Sequence, residues 1–154
     1  MAKYPSIEQL LPHDKPMIFV DRAIDIQVDS IHCQVEIDEH IPFFNYDTKT
    51  VPAYVGIEFM AQSIAAWSGY HALIQYQQPP IGFLLGSRRY SSDIEAFTQG
   101  QQIDIYAEKI MENDGMAVFS ARMEWQERTI ATCQLNVYVP SKEKLKEMKI
   151  RSQQ

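Results

Sequence analysis

The chain has 154 residues, 45% hydrophobic and 22% charged, enough for one domain with its own core and incompatible with whole-chain disorder or a fibrous repeat. A net charge of −6 has the wrong sign for a basic nucleic-acid binder. The two cysteines, Cys33 and Cys133, form no Cys-x-x-Cys pair, which excludes zinc ribbons and thioredoxin-type redox chemistry. Residues 1–9 lack the apolar core of a signal peptide, so a cytoplasmic protein with reduced thiols is expected.

In chain order, residues 6–11 read as a short helical turn capped by Ser6. Pro12 and Pro16 bracket a turn holding His13 and Asp14. Residues 17–27 read as a strand, and Asp29 and Ser30 supply turn chemistry. Residues 31–37 alternate Ile31, Cys33, Val35 and Ile37 against His32, Gln34 and Glu36, the period of a half-buried strand paired with the first. Residues 38–51 read as a loop. Residues 52–75 form the longest helix candidate, apolar on nearly every side, with Glu58, Gln62 and Gly69 on one narrow face and Ser68, His71 and Gln75 on another. Within its 22 residues 53–74, Glu58 is the single formal charge. The length could span a bilayer, but Gln62, Ser63, Ser68 and His71 favour a helix buried inside a soluble protein.

Pro79 and Pro80 end that helix. Strand-like runs follow at 81–90, 102–111, 116–125 and 129–139. Asn113, Asp114 and Gly115 make a hairpin turn, and Glu127 and Arg128 punctuate the next. In the last run, Ala131, Cys133, Leu135, Val137 and Val139 face one way; Ile130, Thr132, Gln134, Asn136 and Tyr138 face the other. Residues 141–150 read as a terminal helix capped by Ser141. Two strands, a buried helix and then consecutive antiparallel strands give an α+β domain, a curved antiparallel sheet around one long helix. The domain spans 1–140. The tail 141–154 is distinct: five basic side chains against two acidic ones give 141–151 a net +3 and leave −9 for the rest.

Glu58 is the sharpest candidate. An ionised carboxylate on a buried apolar helix costs several kcal/mol without a partner, so it is held, protonated or in use. Desolvation and the helix N-terminus act on it in opposite directions. No His, Cys or carboxylate spacing suits a metal, and no cofactor loop is present. Cys33 and Cys133 sit on apolar strand faces and read as core.

The segment Leu10-Leu11-Pro12-His13-Asp14-Lys15-Pro16-Met17-Ile18-Phe19-Val20-Asp21-Arg22 resembles the opening of the 3-hydroxyacyl-[acyl carrier protein] dehydratases. Pro52, followed by Val55-Gly56-Ile57-Glu58-Phe59-Met60-Ala61-Gln62, resembles the start of their central helix. The run Gly82-Phe83-Leu84-Leu85-Gly86-Ser87-Arg88-Arg89 adds a likeness to the dehydratase-like subunits of bacterial aryl polyene clusters. The resemblance implies a hotdog fold, a dimer with sites at the subunit interface, and a substrate carried on the phosphopantetheine of an acyl carrier protein, with no other cofactor.

It also implies that Glu58 is the catalytic acid. Gln62, Phe83, Leu84, Leu85 and His13 become substrate-binding candidates. Because carrier proteins are acidic, Arg88 and Arg89 become docking candidates. The family's catalytic His does not carry over. Its loop corresponds here to 43–50, which holds no His, and His40 lies upstream. Since each site of such a dimer draws on both subunits, the expectation is a heterodimer with a second hotdog protein that brings the His, or else a homodimer. The alternatives are a hotdog thioesterase using Glu58 and a non-catalytic subunit that stabilises its partner.

Overall fold

In the computed structural model, residues 3–11, 17–75 and 83–138 are described, 83–85 by their backbone alone. The period-two segment forms β2 (Ser30–Glu36), with Ile31, Cys33 and Val35 buried and the residues between them facing out. It pairs antiparallel with β1 (Arg22–Ile26) on one side and with β6 (Gln102–Asn113) on the other. β6 continues through a hairpin into β7 (Met116–Trp125), and β7 pairs with β8 (Arg128–Tyr138). β4 (Phe83–Ser92) adds to β8 and closes a six-stranded antiparallel sheet of order β1-β2-β6-β7-β8-β4.

The hairpin between β6 and β7 turns at Asp114 (φ 51°) and Gly115 (φ 83°), two consecutive left-handed residues, as a tight primed turn requires. Gln126 and Glu127, also both at positive φ, make the next turn, so Arg128 already belongs to β8 rather than to the turn. The two-faced reading of that strand needs a correction at its start. Ile130 and Ala131 are both buried, because the β7–β8 register shifts between Met123 and Glu124 and breaks the alternation there.

The helix α2 (Gly56–Leu73) lies on the concave face, preceded by a 3₁₀ turn at Ala53–Val55. Its Phe59, Met60, Ile64 and Ala66 meet Ile103, Ile105, Phe119, Met123 and Leu135 of the sheet in one core. The expected helix is thus present, but residues 52–55 are not part of it. Thr50–Pro52 (β3) instead pairs with Ala96–Thr98 (β5) in a small second sheet. The reading of 38–51 as loop missed β3, and β5 was not anticipated. Three-residue strands offer no period to read.

The short helix α1 (Ile7–Leu10) starts at Ser6, whose N–H donates to Gln9 Oε1 at 3.2 Å. It packs on α2 where Gly69 has no side chain: a Cβ there would collide with the Leu10 carbonyl. At the far end of α2, Trp67 Nε1 donates to Gln27 O and Val28 O, both at 3.2 Å, and His71 Nε2 lies 2.9 Å from Gln27 O. No helix among the described residues is long and apolar enough to cross a membrane. The turn holding His13, the prolines 79 and 80 and the terminal helix read at 141–150 lie outside the described residues.

Candidate active site

Glu58 stands in the first turn of α2, half-buried, where the helix dipole favours a negative charge. What holds it is Gln62, one turn later on the same face. Gln62 Nε2 donates to Glu58 Oε1 at 3.1 Å and to Met17 O at 2.6 Å, and its Oε1 accepts from Phe19 N–H at 2.8 Å. Gln62 is 1% exposed, and the Phe19 N–H fixes which way its amide faces. Both amide hydrogens are engaged by protein groups. Glu58 Oε2 takes no hydrogen bond from the described residues.

The same clamp corrects the reading of 17–27 as one strand. Only Arg22–Ile26 is strand. The backbone of Met17 and Phe19 bonds to the Gln62 side chain instead of to a sheet ladder. Phe19 and Val20 are buried, so the apolar run that suggested a strand reflects burial alone.

None of the described histidines hydrogen-bonds to Glu58. His32 faces outward on β2, on the sheet's other side from α2, with Nε2 2.7 Å from Asp104 Oδ1 and its ring stacked on Tyr106. His71 is 13 residues further along α2, about 20 Å at 1.5 Å per residue. His40 lies in the turn after β2, its N–H on Asp38 Oδ1 at 2.8 Å, beside a cleft of about 520 Å³ that Asp21 and Asp38 also line. His13 lies outside the described residues. No three His, Cys, Asp or Glu side chains converge as a metal site among the described residues.

The loop before α2 is shaped by Asn45, whose Oδ1 accepts the N–H groups of Asp47 and Thr48. It presents aromatics. Phe43 takes φ 72° and meets Tyr54 edge-on, and Phe44 meets Tyr46 in the same manner. Phe43, Tyr46 and Tyr54 are exposed. Such a backbone angle is costly for a bulky side chain.

Arg88 and Arg89 lie exposed on the edge strand β4. The register slips between Arg88 and Ser91, with Arg89 at φ 57°. This bulge puts two successive arginines outside and turns Tyr90 inward. The backbone of 83–85 runs in β4 beside β8. Both cysteines are buried, and burial pushes the Cys33 thiol up to about 12, the behaviour of a core thiol. The Gln62 clamp on the 17–19 segment was not read from the sequence. The one available signal was the Glu58–Gln62 spacing of a single helical turn.

Known proteins complete the picture. A family model described as ApeP dehydratase matches residues 5–149. The dehydratase heterocomplex ApeI:P from Xenorhabdus doucetiae contains a chain 31% identical, superposing with a TM-score of 0.87 over 95% of this chain and 98% of that one. A 3-hydroxyacyl-[acyl-carrier-protein] dehydratase, FabZ, from Streptococcus sanguinis (strain SK36) is 32% identical over 69 residues, 45% of this chain and 49% of that enzyme. The chain thus spans about half the length of that curated relative. A hypothetical thioesterase from Streptococcus pneumoniae TIGR4, solved with coenzyme A, is 12% identical with a TM-score of 0.60 over 77% of this chain and 86% of that one, a likeness of fold alone. The sheet wrapped on α2, the carboxylate at the helix start and the match over nearly the whole chain agree: the chain belongs to the ApeP-like dehydratase family, with the hotdog fold.

Proposed function

We propose that this chain is the acid-bearing component of a dehydratase that converts a 3-hydroxyacyl thioester, held on the phosphopantetheine of an acyl carrier protein, to the trans-2-enoyl thioester in fatty-acid-like or aryl polyene synthesis. A base removes the proton alpha to the thioester carbonyl. The carbon–oxygen bond at the 3-position breaks, and Glu58 delivers its proton to the departing hydroxyl, which leaves as water. The observation that carries this reading is the Glu58–Gln62 clamp. One carboxylate oxygen is fixed by a buried amide, and the other, which takes no hydrogen bond from the described residues, is available to a reacting group. Gln62 is then a positioning residue acting through Glu58, in place of the substrate contact expected of it.

The base comes from elsewhere. No histidine bonds to Glu58 among the described residues, and the loop before α2 offers aromatics in its place. A second hotdog subunit carrying the His is the source we infer. The likeness to a chain of a dehydratase heterocomplex supports it. So does the side of α2 formed by Ile57, Ala61, Ala65 and Ser68, which stays only partly buried. Arg88 and Arg89, exposed side by side, suit an acidic carrier. Phe83, Leu84, Leu85 and His13 remain candidates for the acyl tunnel.

The test is a product assay with a 3-hydroxyacyl-carrier substrate. The chain alone, the His-bearing partner alone and the two together are compared by mass spectrometry of the carrier. Dehydration by the pair and not by this chain alone is the expected result. Full activity of the chain alone refutes the shared site. Release of free acid and thiol identifies a thioesterase instead.

A further inference from the structure

The clamp and the two arginines leave Tyr90, a polar side chain of β4 packed against the core, without a role. Tyr90 follows Arg89 in the bulge, and its hydroxyl donates to Ala53 O at the start of the 3₁₀ turn. The same carbonyl accepts Gly56 N–H. Ala53 is also held from its other side, since its N–H donates to Glu95 O at 3.1 Å. Pro52 pairs with Ala96, next to that residue. The turn from which α2 starts is therefore fastened to two separate strands.

Gly56 shows how close this fastening is. A Cβ there would occupy the place of the Tyr90 hydroxyl and would crowd Met123 Sδ and Phe97 Cζ, each 3.3 Å away. A glycine opens α2 because the hydroxyl takes the space of a side chain. Glu58 is two residues further on, in the same helical turn. A phenol is protonated at neutral pH and so can donate, and burial raises the Tyr90 phenol further above its usual value. A phenylalanine would fill the same apolar space. Besides its bond to Ala53 O, the hydroxyl meets the Ser92 side chain of its own strand, so of these two contacts the one to Ala53 is the one that reaches the start of α2.

We propose that Tyr90 is a positioning residue: from the edge strand β4 it fixes the start of α2, and through it the placement of the Glu58 carboxylate. This rests on the dehydratase reading above. Misplacing a reacting group by a fraction of an ångström lowers turnover without altering what is bound. The role therefore predicts a split between kcat and KM.

The experiment compares wild type with Tyr90→Phe in the full chain assembled with its His-bearing partner. The expected result is a thermal midpoint within a few degrees of wild type, a KM within about 2-fold and a kcat lower by about 5- to 10-fold, the size of one lost hydrogen bond. In the same variant, without substrate, amide hydrogen exchange at 56–60 should quicken by about 5-fold while β6 and β7 stay as they were. Unchanged exchange at 56–60 overturns the proposal. So does a shifted KM with intact kcat, which would make Tyr90 a substrate contact. Faster exchange throughout the molecule with a collapsed midpoint also overturns it, since Tyr90 is then only core. Absence of dehydration by the wild-type complex refutes the dehydratase reading itself, and the exchange measurement still decides whether Tyr90 fixes the helix start.

Discussion

A half-buried carboxylate on an apolar helix is unfavourable unless something holds it, and Gln62 does so from one turn away at 3.1 Å. Replacing Glu58 by Gln keeps the shape and a carbonyl for the Gln62 amide while removing the transferable proton. Glu58→Gln should melt as wild type does and lose at least about 10²-fold in turnover by the assembled complex, a general-acid effect; wild-type-like turnover would refute its role. Gln62 is different in kind because three partners depend on it. Gln62→Leu is similar in size but strands the Phe19 N–H and the Met17 carbonyl. The Phe19 N–H is buried, and a buried group left unpaired costs about 1–3 kcal/mol, whereas Met17 is exposed and its carbonyl can turn to water. Denaturant unfolding should show that loss together with a fall in turnover. Undiminished stability would mean that the 17–19 segment finds other partners.

Elements meet here through backbones and bulges as much as through side chains. Helix α1 lies so close to α2 that the Leu10 carbonyl fills the space beside Gly69. Backbone cannot swing aside as the tip of a flexible side chain can. Gly69→Ala should therefore destabilise by about 3 kcal/mol, the upper end of overpacking costs, even though alanine is the better helix former. An unchanged unfolding midpoint would show that α1 shifts freely. On β4, the extra residue at Arg89 places a non-glycine side chain at φ 57°, a conformation that costs about 1–2 kcal/mol. The same extra residue separates the outward arginines from the inward Tyr90.

At the scale of the whole molecule, the sheet has two edge strands, β1 and β4, and one side of α2 stays only partly buried. A net charge of −6 would repel an acidic carrier, so local positive charge has to overcome it. Reversing Arg88 and Arg89 together to Glu should weaken carrier binding, and the difference from wild type should shrink as salt screens it. Equal affinity of both forms across a salt series would move the docking surface elsewhere, the basic segment 141–151 being the other concentration of positive charge in the sequence.

What the sequence by itself determined is local and periodic. Alternation marked β2 and most of β8, and strand-like runs marked β4, β6 and β7. An apolar run too long for a strand marked α2. Asp114-Gly115 marked the hairpin, and a lone charge in α2 singled out Glu58. The paired motifs around Pro12 and Pro52 marked the family. Each of these signals resides in neighbouring residues, whose spacing follows from the pitch of a helix or the pleat of a strand. The tertiary structure alone decided the rest. Met17 and Phe19 leave the strand because a glutamine more than 40 residues away takes their backbone groups. The strands β3 and β5 are too short to carry a period and are defined by their pairing with each other. Tyr90 reaches Ala53 because a one-residue bulge turned it inward. Hydrogen bonds between distant segments satisfy buried polar groups after the chain has collapsed, and no local pattern records which groups will meet.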